Sequence, residues 1–260
     1  MAKFTVPGAE LDVSFSDEHG RPVVQLHGLT SSRARDRTLG LDLGRGLSGT
    51  RLLRYDARAH GRSTGRPIAD DYRWPQLADD LLQLLDAWFP GERVHGVGPS
   101  MGTGTLLHAA TLDPERFSGL TLVIPPTAWA TRIAMADGYR AAAELIERDG
   151  VDVFVEAGRA VPQPPTLAGV AETVPDIVAN LLPSVLRGAA ASDLPSPDMI
   201  AGIHVPTSIL AWVDDPGHPL STAEALVDLL PSASLTVAHT PADLAAWPGL
   251  LHAQVGSSRP

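Results

Sequence analysis

The chain has 260 residues, of which 44% are hydrophobic and 19% are charged, and its formal net charge at pH 7 is −10. This composition is typical of a globular protein with one domain and room for one inserted cap. The negative charge argues against nucleic acid and anionic membranes as partners, since both are themselves negative. The absence of cysteine excludes disulfides, thiol catalysis and thiolate metal sites.

The start of the sequence and its apolar runs bear on where the protein is expected to reside. The first six residues, Met-Ala-Lys-Phe-Thr-Val, lack the long apolar run of a signal peptide. No stretch approaches the ~20 apolar residues that a membrane-spanning helix needs. We therefore expect a cytoplasmic protein.

Two short apolar runs open the chain as predicted strands. Leu11–Phe15 alternates, and Val23–His27 is apolar enough to lie inside a sheet. The second run ends in His27-Gly28, followed by small polar residues, which predicts a loop over the carboxyl edge of the sheet. Gly28 would let the backbone turn so that the Leu29 N–H points inward. For His27, a structural hydrogen-bonding role is favoured over proton transfer.

The next predicted pair is a strand over Thr50–Tyr55 and a helix over Trp74–Phe89, with a polar loop between them. The helix has leucines at helical spacing and Pro75 near its start, where the missing N–H costs nothing.

The segment Arg93–Asp113 predicts a strand, a tight turn and a helix, with Ser100 at the apex of the turn. Gly98 and Gly102 flank this serine at positions where side chains would collide. A helix beginning at Met101 presents free N–H groups and a partial positive charge, which suit a developing oxyanion. The pentapeptide Gly-x-Ser-x-Gly also occurs by chance, but the strand before it and the helix after it favour a nucleophile elbow.

Phe117–Ile124 continues the alternation of apolar strands and helices. Such alternation predicts an α/β fold, with a mostly parallel twisted sheet covered by helices on both faces. Ligands of these sheets bind beyond the carboxyl ends of the strands, where Ser100, Leu29 and the loop at Asp56 are expected.

Three motifs now define a resemblance: His27-Gly28, the run Arg54–Ser63, and the Ser100 pentapeptide. Together they resemble the α/β-hydrolase fold, with bacterial esterases, enol-lactone hydrolases and cofactor-free haloperoxidase-like members as the most similar groups. The resemblance covers roughly residues 10–125 and 203–250. It implies a small, apolar ester or lactone substrate and neither a cofactor nor a metal.

The resemblance also implies a domain division. The α/β-hydrolase core would comprise residues 1–125 and 204–260, and a helical cap would comprise residues 126–203. Helices are predicted over Tyr139–Arg148 and Pro175–Arg187, and Val151–Val155 is ambiguous.

The cap carries apolar side chains that could wall a substrate pocket, with Trp129 as one candidate beside His27 and Gly28. The alternative is that these side chains only attach the cap to the sheet.

Pro206–Val213 is the next predicted strand, and it ends in a run of acidic residues. In the family, an acid after this strand, followed four residues later by proline, orients the catalytic histidine. Asp215 with Pro219 fits that pattern, whereas Asp214 lies one residue too early. A helix over Ser221–Leu230 is predicted to begin with a capping box.

The last predicted strand is Leu235–Ala238, and the segment after it differs from the family pattern. The family has several loop residues before its catalytic histidine, but here Thr240, Pro241 and Asp243 start a helix almost at once. His239 is the histidine in the expected chain order, although four missing residues shorten its reach by up to ~13 Å.

Three possibilities therefore remain open for the base: His239, another histidine such as His218 or His60, or none. We predict a serine hydrolase in which Ser100 attacks, His239 takes the proton and Asp215 orients the histidine. The N–H groups of Leu29 and Met101 would form the oxyanion hole. The alternative is a binding protein, lyase or cyclase that keeps the elbow but has an incomplete triad.

Overall fold

The computed structural model describes residues 2–257, and these residues form one eight-stranded sheet flanked by helices. The strands are β1 (Ala2–Val6), β2 (Ala9–Asp17), β3 (Arg21–Gln25), β4 (Thr50–Tyr55), β5 (Val94–Pro99), β6 (Phe117–Val123), β7 (Thr207–Trp212) and β8 (Ala233–Ala238). The helices are α1 (Arg33–Thr38), α2 (Trp74–Trp88), α3 (Met101–Leu112), α4 (Arg132–Asp149), α5 (Val151–Arg159), α6 (Leu182–Ala190), α7 (Pro197–Ala201), α8 (Leu220–Leu229) and α9 (Pro241–Ser257).

The strands lie in the order β1-β2-β4-β3-β5-β6-β7-β8. Strand β2 is antiparallel to β1 and β4, and the remaining neighbours are parallel. The predicted α/β fold with a mostly parallel sheet is therefore confirmed. Every residue of β5 is buried, which puts the strand before the predicted elbow in the middle of the sheet.

Each face of the sheet has its own hydrophobic core, because successive side chains of a strand point to opposite faces. Val24 and Leu53 belong to one core, which α2, α3 and α8 cover. Their neighbours Val23 and Leu52 belong to the other core, against which Trp247 of α9 packs. The apolar runs that predicted buried strands thus fill two layers of core.

Most predicted elements lie within two residues of their observed bounds, but two predicted helices do not. The helix predicted over Tyr139–Arg148 begins at Arg132, and the helix predicted over Pro175–Arg187 begins only at Leu182. The segment left ambiguous at Val151 is helical. Helix α8 has Pro219 at its N-cap, so the capping box expected at Ser221 is absent. Strand β1 and the short helix α1 were not predicted.

The late start of α6 has a cause in the backbone before it. The Asp176 N–H donates to the Thr30 carbonyl at 2.9 Å, and the Asp176 carbonyl accepts from the Gly61 N–H at 2.8 Å. The Val178 N–H donates to the Ala59 carbonyl at 3.1 Å. These bonds hold the segment extended across two loops of the sheet edge, in place of the helix that its composition favours.

The predicted cap lies between β6 and β7 and contains α4 to α7. Helices α4 and α6 pack on each other, while α7 contacts α3 and α8. Leu194, Ile200 and Ile203 belong to the main core of the sheet. The last part of this segment is therefore continuous with the core, and the division at residue 203 stays a prediction. Within residues 2–257, no helix is both long and apolar enough to cross a membrane.

Candidate active site

Ser100 sits at the apex of the turn between β5 and α3, in a backbone conformation with φ of 52° and ψ of −109°. Positive φ is strained for a residue with a side chain and persists only where the surroundings enforce it. A Cβ atom on Gly98 would lie 2.7 Å from the carbonyl carbon of Gly102. The two glycines thus touch across the turn, as the spacing predicted.

Hydrogen bonds fix this turn on both sides. The Ser100 N–H donates to the Val123 carbonyl of β6 at 2.9 Å, and the Ser100 carbonyl accepts from the Gly104 N–H at 3.1 Å. The Thr103 hydroxyl donates to the Gly98 carbonyl at 2.7 Å. The Ser100 side chain is therefore presented on a rigid base.

His218 and Asp215 complete a hydrogen-bonded chain with this serine. His218 Nε2 lies 2.8 Å from Ser100 Oγ, and His218 Nδ1 lies 2.7 Å from Asp215 Oδ2. Both side chains are about one-fifth exposed, at 22% and 18%. The hydrogen-bonded chain thus runs from Ser100, which lines a cavity, through His218 to the mostly buried carboxylate of Asp215.

The loop after β7 holds the carboxylate through several donors. Asp215 Oδ1 accepts from the Gly217 N–H at 2.9 Å, and Oδ2 accepts from Trp212 Nε1 at 2.9 Å. Burial opposes ionisation of Asp215, but the hydrogen bond and charge of His218, together with these donors, hold its pKa below the ordinary value. The Trp212 indole also meets the His218 ring edge-on, at 6.1 Å between centroids.

The ionised Asp215 determines which nitrogen of His218 carries the proton. A carboxylate only accepts hydrogen bonds, so Nδ1 must be the donor and Nε2 keeps its lone pair. That lone pair faces the Ser100 hydroxyl. The arrangement can therefore take a proton from Ser100 Oγ and stabilise the imidazolium that forms.

The predicted oxyanion groups lie beside the serine. A Cβ atom on Gly28 would lie 3.6 Å from Ser100 Cβ, so the loop after β3 passes directly over the elbow. The Leu29 N–H has no acceptor among residues 2–257. Met101 is the first residue of α3, where an N–H has no partner inside the helix. Both N–H groups are therefore free to bind an oxyanion.

A cavity of about 570 Å³ opens at Ser100, His218 and Asp215. Its apolar wall comes from Leu29, Leu39, Ile124, Leu167, Val170 and Trp212. Residues 158–159, 161–164 and 171–173 also line it. A larger cavity of about 650 Å³ lies between α5 and residues 174–182, away from Ser100. Among the described residues, no cluster of three or more His, Asp or Glu side chains is arranged to hold a metal.

Comparisons with known proteins agree with this fold. The family model described as alpha/beta hydrolase fold matches residues 21–147. A thermophilic esterase from Thermogutta terrifontis superposes with a TM-score of 0.75 at 19% identity, covering 98% of this chain and 97% of that one. The enol-lactonase from Burkholderia xenovorans LB400 does so with a TM-score of 0.75 at 20% identity, with the same coverage. This chain has the α/β-hydrolase fold.

A curated relative extends the comparison over most of the chain. The protein named "Putative carbamate hydrolase RutD" from Caulobacter sp. (strain K31) is 29% identical over 245 residues. The match covers 86% of this chain and 87% of that protein. The family match and this relative together support a hydrolase.

The structure corrects the expected position of the histidine beside Ser100. His239 is exposed at the end of β8, and its N–H donates to Asp243 Oδ2 at 3.0 Å. Thr240 and Asp243 bond each other and begin α9 at once, as their sequence predicted. With no loop to carry it over the sheet edge, His239 does not reach Ser100, and His218 occupies that place.

The other histidine considered, His60, is buried away from the cavity. Its Nδ1 lies 2.7 Å from the Arg58 carbonyl, and its ring centroid lies 5.0 Å from that of His27. Burial, followed by the nearby His27, lowers the pKa of His60 to about 3. His60 therefore has no contact with Ser100.

His27 supports the loop rather than lining the pocket. Its Nδ1 lies 2.8 Å from the Gly28 carbonyl, and its Nε2 accepts from the Ala57 N–H at 2.9 Å. Burial lowers the pKa of His27 and keeps the ring neutral, as these two bonds require. Of the predicted pocket candidates, Gly28 lines the cavity and His27 does not.

Trp129 also lies away from the cavity. Its indole Nε1 donates to the Pro195 carbonyl at 3.1 Å, and its backbone N–H donates to Asp193 at 3.0 Å. The ring packs against the main core. Trp129 therefore attaches the inserted segment to the sheet, which is the alternative that the sequence left open.

Proposed function

We propose that this protein is a serine hydrolase of small carboxylic esters or lactones, with Ser100 as nucleophile, His218 as base and Asp215 as orienting acid. The observation that carries the proposal is the 2.8 Å contact between His218 Nε2 and Ser100 Oγ. The solved esterase and enol-lactonase that share this fold support the substrate class by analogy.

The proposed reaction has two halves. Ser100 Oγ attacks the substrate carbonyl while His218 Nε2 takes its proton, and the N–H groups of Leu29 and Met101 stabilise the oxyanion. His218 then gives this proton to the departing alkoxide. In the second half, His218 activates a water that cleaves the acyl-enzyme. Asp215 stays ionised throughout and stabilises the imidazolium.

The hydrogen-bonded set favours this function over a non-hydrolytic one. The alternative of a binding protein, lyase or cyclase assumed that no histidine lies close enough to Ser100 to take its proton. His218 supplies a group of the right type at hydrogen-bond distance, with its tautomer fixed by Asp215. The cavity beside Ser100, which combines apolar and polar lining residues, has a volume that suits a small ester or lactone.

Active-site labelling tests the proposal. A fluorophosphonate probe should label the wild-type protein rapidly and leave the Ser100→Ala variant unlabelled. The same variant should lose turnover of 4-nitrophenyl butyrate while keeping the wild-type circular dichroism spectrum. If the wild type neither reacts with the probe nor hydrolyses short esters, the serine is not activated, and the result would favour the non-hydrolytic alternative.

A further inference from the structure

We propose that Arg35 is a specificity-determining residue that binds a carboxylate in the cavity of Ser100. The favoured substrates would then carry a carboxylate in addition to the scissile ester or lactone. This inference rests on the proposed function and narrows its substrate class.

The position of Arg35 is the first part of the argument. Arg35 lies in α1, which follows the loop of Leu29, and its half-buried side chain lines the same cavity as Ser100 and His218. A group held by this guanidinium would thus share the cavity with the nucleophile.

The hydrogen bonds of Arg35 go to neutral acceptors. Nη1 donates to the Thr30 carbonyl at 2.9 Å and to the Thr30 hydroxyl at 3.1 Å, and Nε donates to the Thr173 hydroxyl at 2.8 Å. Nη2 has no partner among residues 2–257. Nε and Nη1 are therefore held by hydrogen bonds, and the two N–H donors of Nη2 remain free.

The charge of Arg35 is also unpaired. No carboxylate of the described residues lies within 4.0 Å of it. The neighbouring Asp36 is buried and bonded to the Ser31 hydroxyl, and burial raises the pKa of Asp36 to about 7. Asp176 is nearby but accepts from the Ser32 hydroxyl at 2.5 Å. These acids compensate the guanidinium only in part.

Neighbouring arginines have carboxylate partners. Arg33 pairs with Asp56 at 3.0 Å, and Arg37 pairs with Asp42 at 3.3 Å. A partly desolvated cation without such a partner is unfavourable, and an incoming anion would relieve it. Arg35 is thus the arginine of α1 that is left open to a ligand.

The guanidinium is prepared for a carboxylate by its fixed orientation. Arginine recognises carboxylates through parallel N–H donors in one plane, and less entropy is lost when that plane is already held. Thr30 and Thr173, which both line the cavity, hold it in place. A purely structural Arg35 would only join the Thr30 loop to residue 173, and it would not distinguish charged from neutral substrates.

Matched substrate pairs separate these two roles. One pair is the 4-nitrophenyl monoester of adipic acid and its methyl ester, with the charge on the acyl side. The other is 4-carboxyphenyl butyrate and its methyl ester, with the charge on the alcohol side. The kinetic constants of each member are measured for the wild type, Arg35→Gln and the control Arg37→Gln, which removes the same charge from the same helix.

The wild type should prefer the charged member of at least one pair by about tenfold or more in kcat/KM. Arg35→Gln should lower kcat/KM for that member roughly 10–100-fold, mainly through KM, because a hydrogen bond to a charged group is lost. The neutral member should change less than about threefold, and Arg37→Gln should keep the preference.

Three results would overturn the inference. The wild type could show no preference in either pair, Arg35→Gln could lower kcat/KM equally for the charged and the neutral member, or Arg37→Gln could abolish the preference as well. Calorimetric titration with adipate adds a readout independent of turnover, and Arg35→Gln should weaken its Kd at least tenfold. Hydrolysis without charge preference refutes only this inference. Absence of all hydrolysis refutes the proposed function, and absent adipate binding would then refute the inference too.

Discussion

Two loops at the carboxyl edge of the sheet differ in what they can carry. The loop after β7 runs through residues 213–219 and brings Asp215 and His218 to Ser100 from a single turn. The connection after β8 consists of His239 and Thr240 alone, because α9 begins at Pro241. The longer loop has room to project a side chain over the edge, and the shorter one does not.

The comparison teaches that reach, rather than position after a particular strand, decides which histidine meets the serine. Asp215 and His218 are three residues apart, and the His218 N–H donates to the Asp215 carbonyl at 3.0 Å. This turn places the imidazole and the carboxylate side by side. The chain order Ser, Asp, His is kept, although the histidine comes one strand early.

The largest expected effect contrasts the two histidines. His218→Ala should lower kcat/KM for 4-nitrophenyl butyrate by roughly 10⁴–10⁶-fold, since members of such a site act as a unit. His239→Ala should change it less than about threefold. Steady-state kinetics with circular dichroism as the folding control measure this contrast, and the opposite ranking would return the role of base to His239.

The next effect contrasts the two acids of the loop after β7. Asp215→Asn should lower kcat by about 10⁴-fold, because the amide no longer fixes the tautomer or stabilises the imidazolium. Asp214→Asn is the control, since Asp214 is exposed with φ of 60°, a conformation that asparagine tolerates. Comparable losses in the two variants would contradict the assignment of Asp215.

A smaller effect is expected from the indole that holds the acid. Trp212→Phe removes one donor from Asp215 Oδ2 but leaves those of His218 and Gly217. We expect kcat to fall roughly 3–10-fold. Losing a donor to the carboxylate also raises the pKa of Asp215 toward its ordinary value. A kcat equal to that of the wild type with the same ester would mean that the indole only packs.

The smallest effect on activity is expected at the short connection. Thr240→Ala removes the side chain that accepts from the Asp243 N–H at 3.3 Å and caps α9. The Tm should fall by about 2–4 °C, while kcat/KM should change less than about twofold. Differential scanning calorimetry and the ester assay test this together. A large loss of activity with an unchanged Tm would show that this connection serves the site.

The sequence by itself determined the features that depend on neighbouring residues. The apolar runs predicted the buried strands, and Gly98 and Gly102 predicted the turn at Ser100, because steric conflict there acts over two residues. Thr240 and Asp243 likewise predicted the start of α9, since a helix cap spans one turn. The loop of Gly28 was predicted from its place after a strand, whereas the acid Asp215 was predicted from the resemblance to the α/β-hydrolase fold.

Only the tertiary structure decided the choice of histidine. His218 and Ser100 are 118 residues apart, so their contact depends on how β5 and β7 are placed in the sheet. It also decided that residues 176–178 run extended, since their backbone bonds go to distant loops. The place of Arg35 in the cavity likewise depends on the tertiary fold, because its hydrogen-bond partners Thr30 and Thr173 come from separate segments. Distances between remote segments follow from packing, which local patterns do not encode.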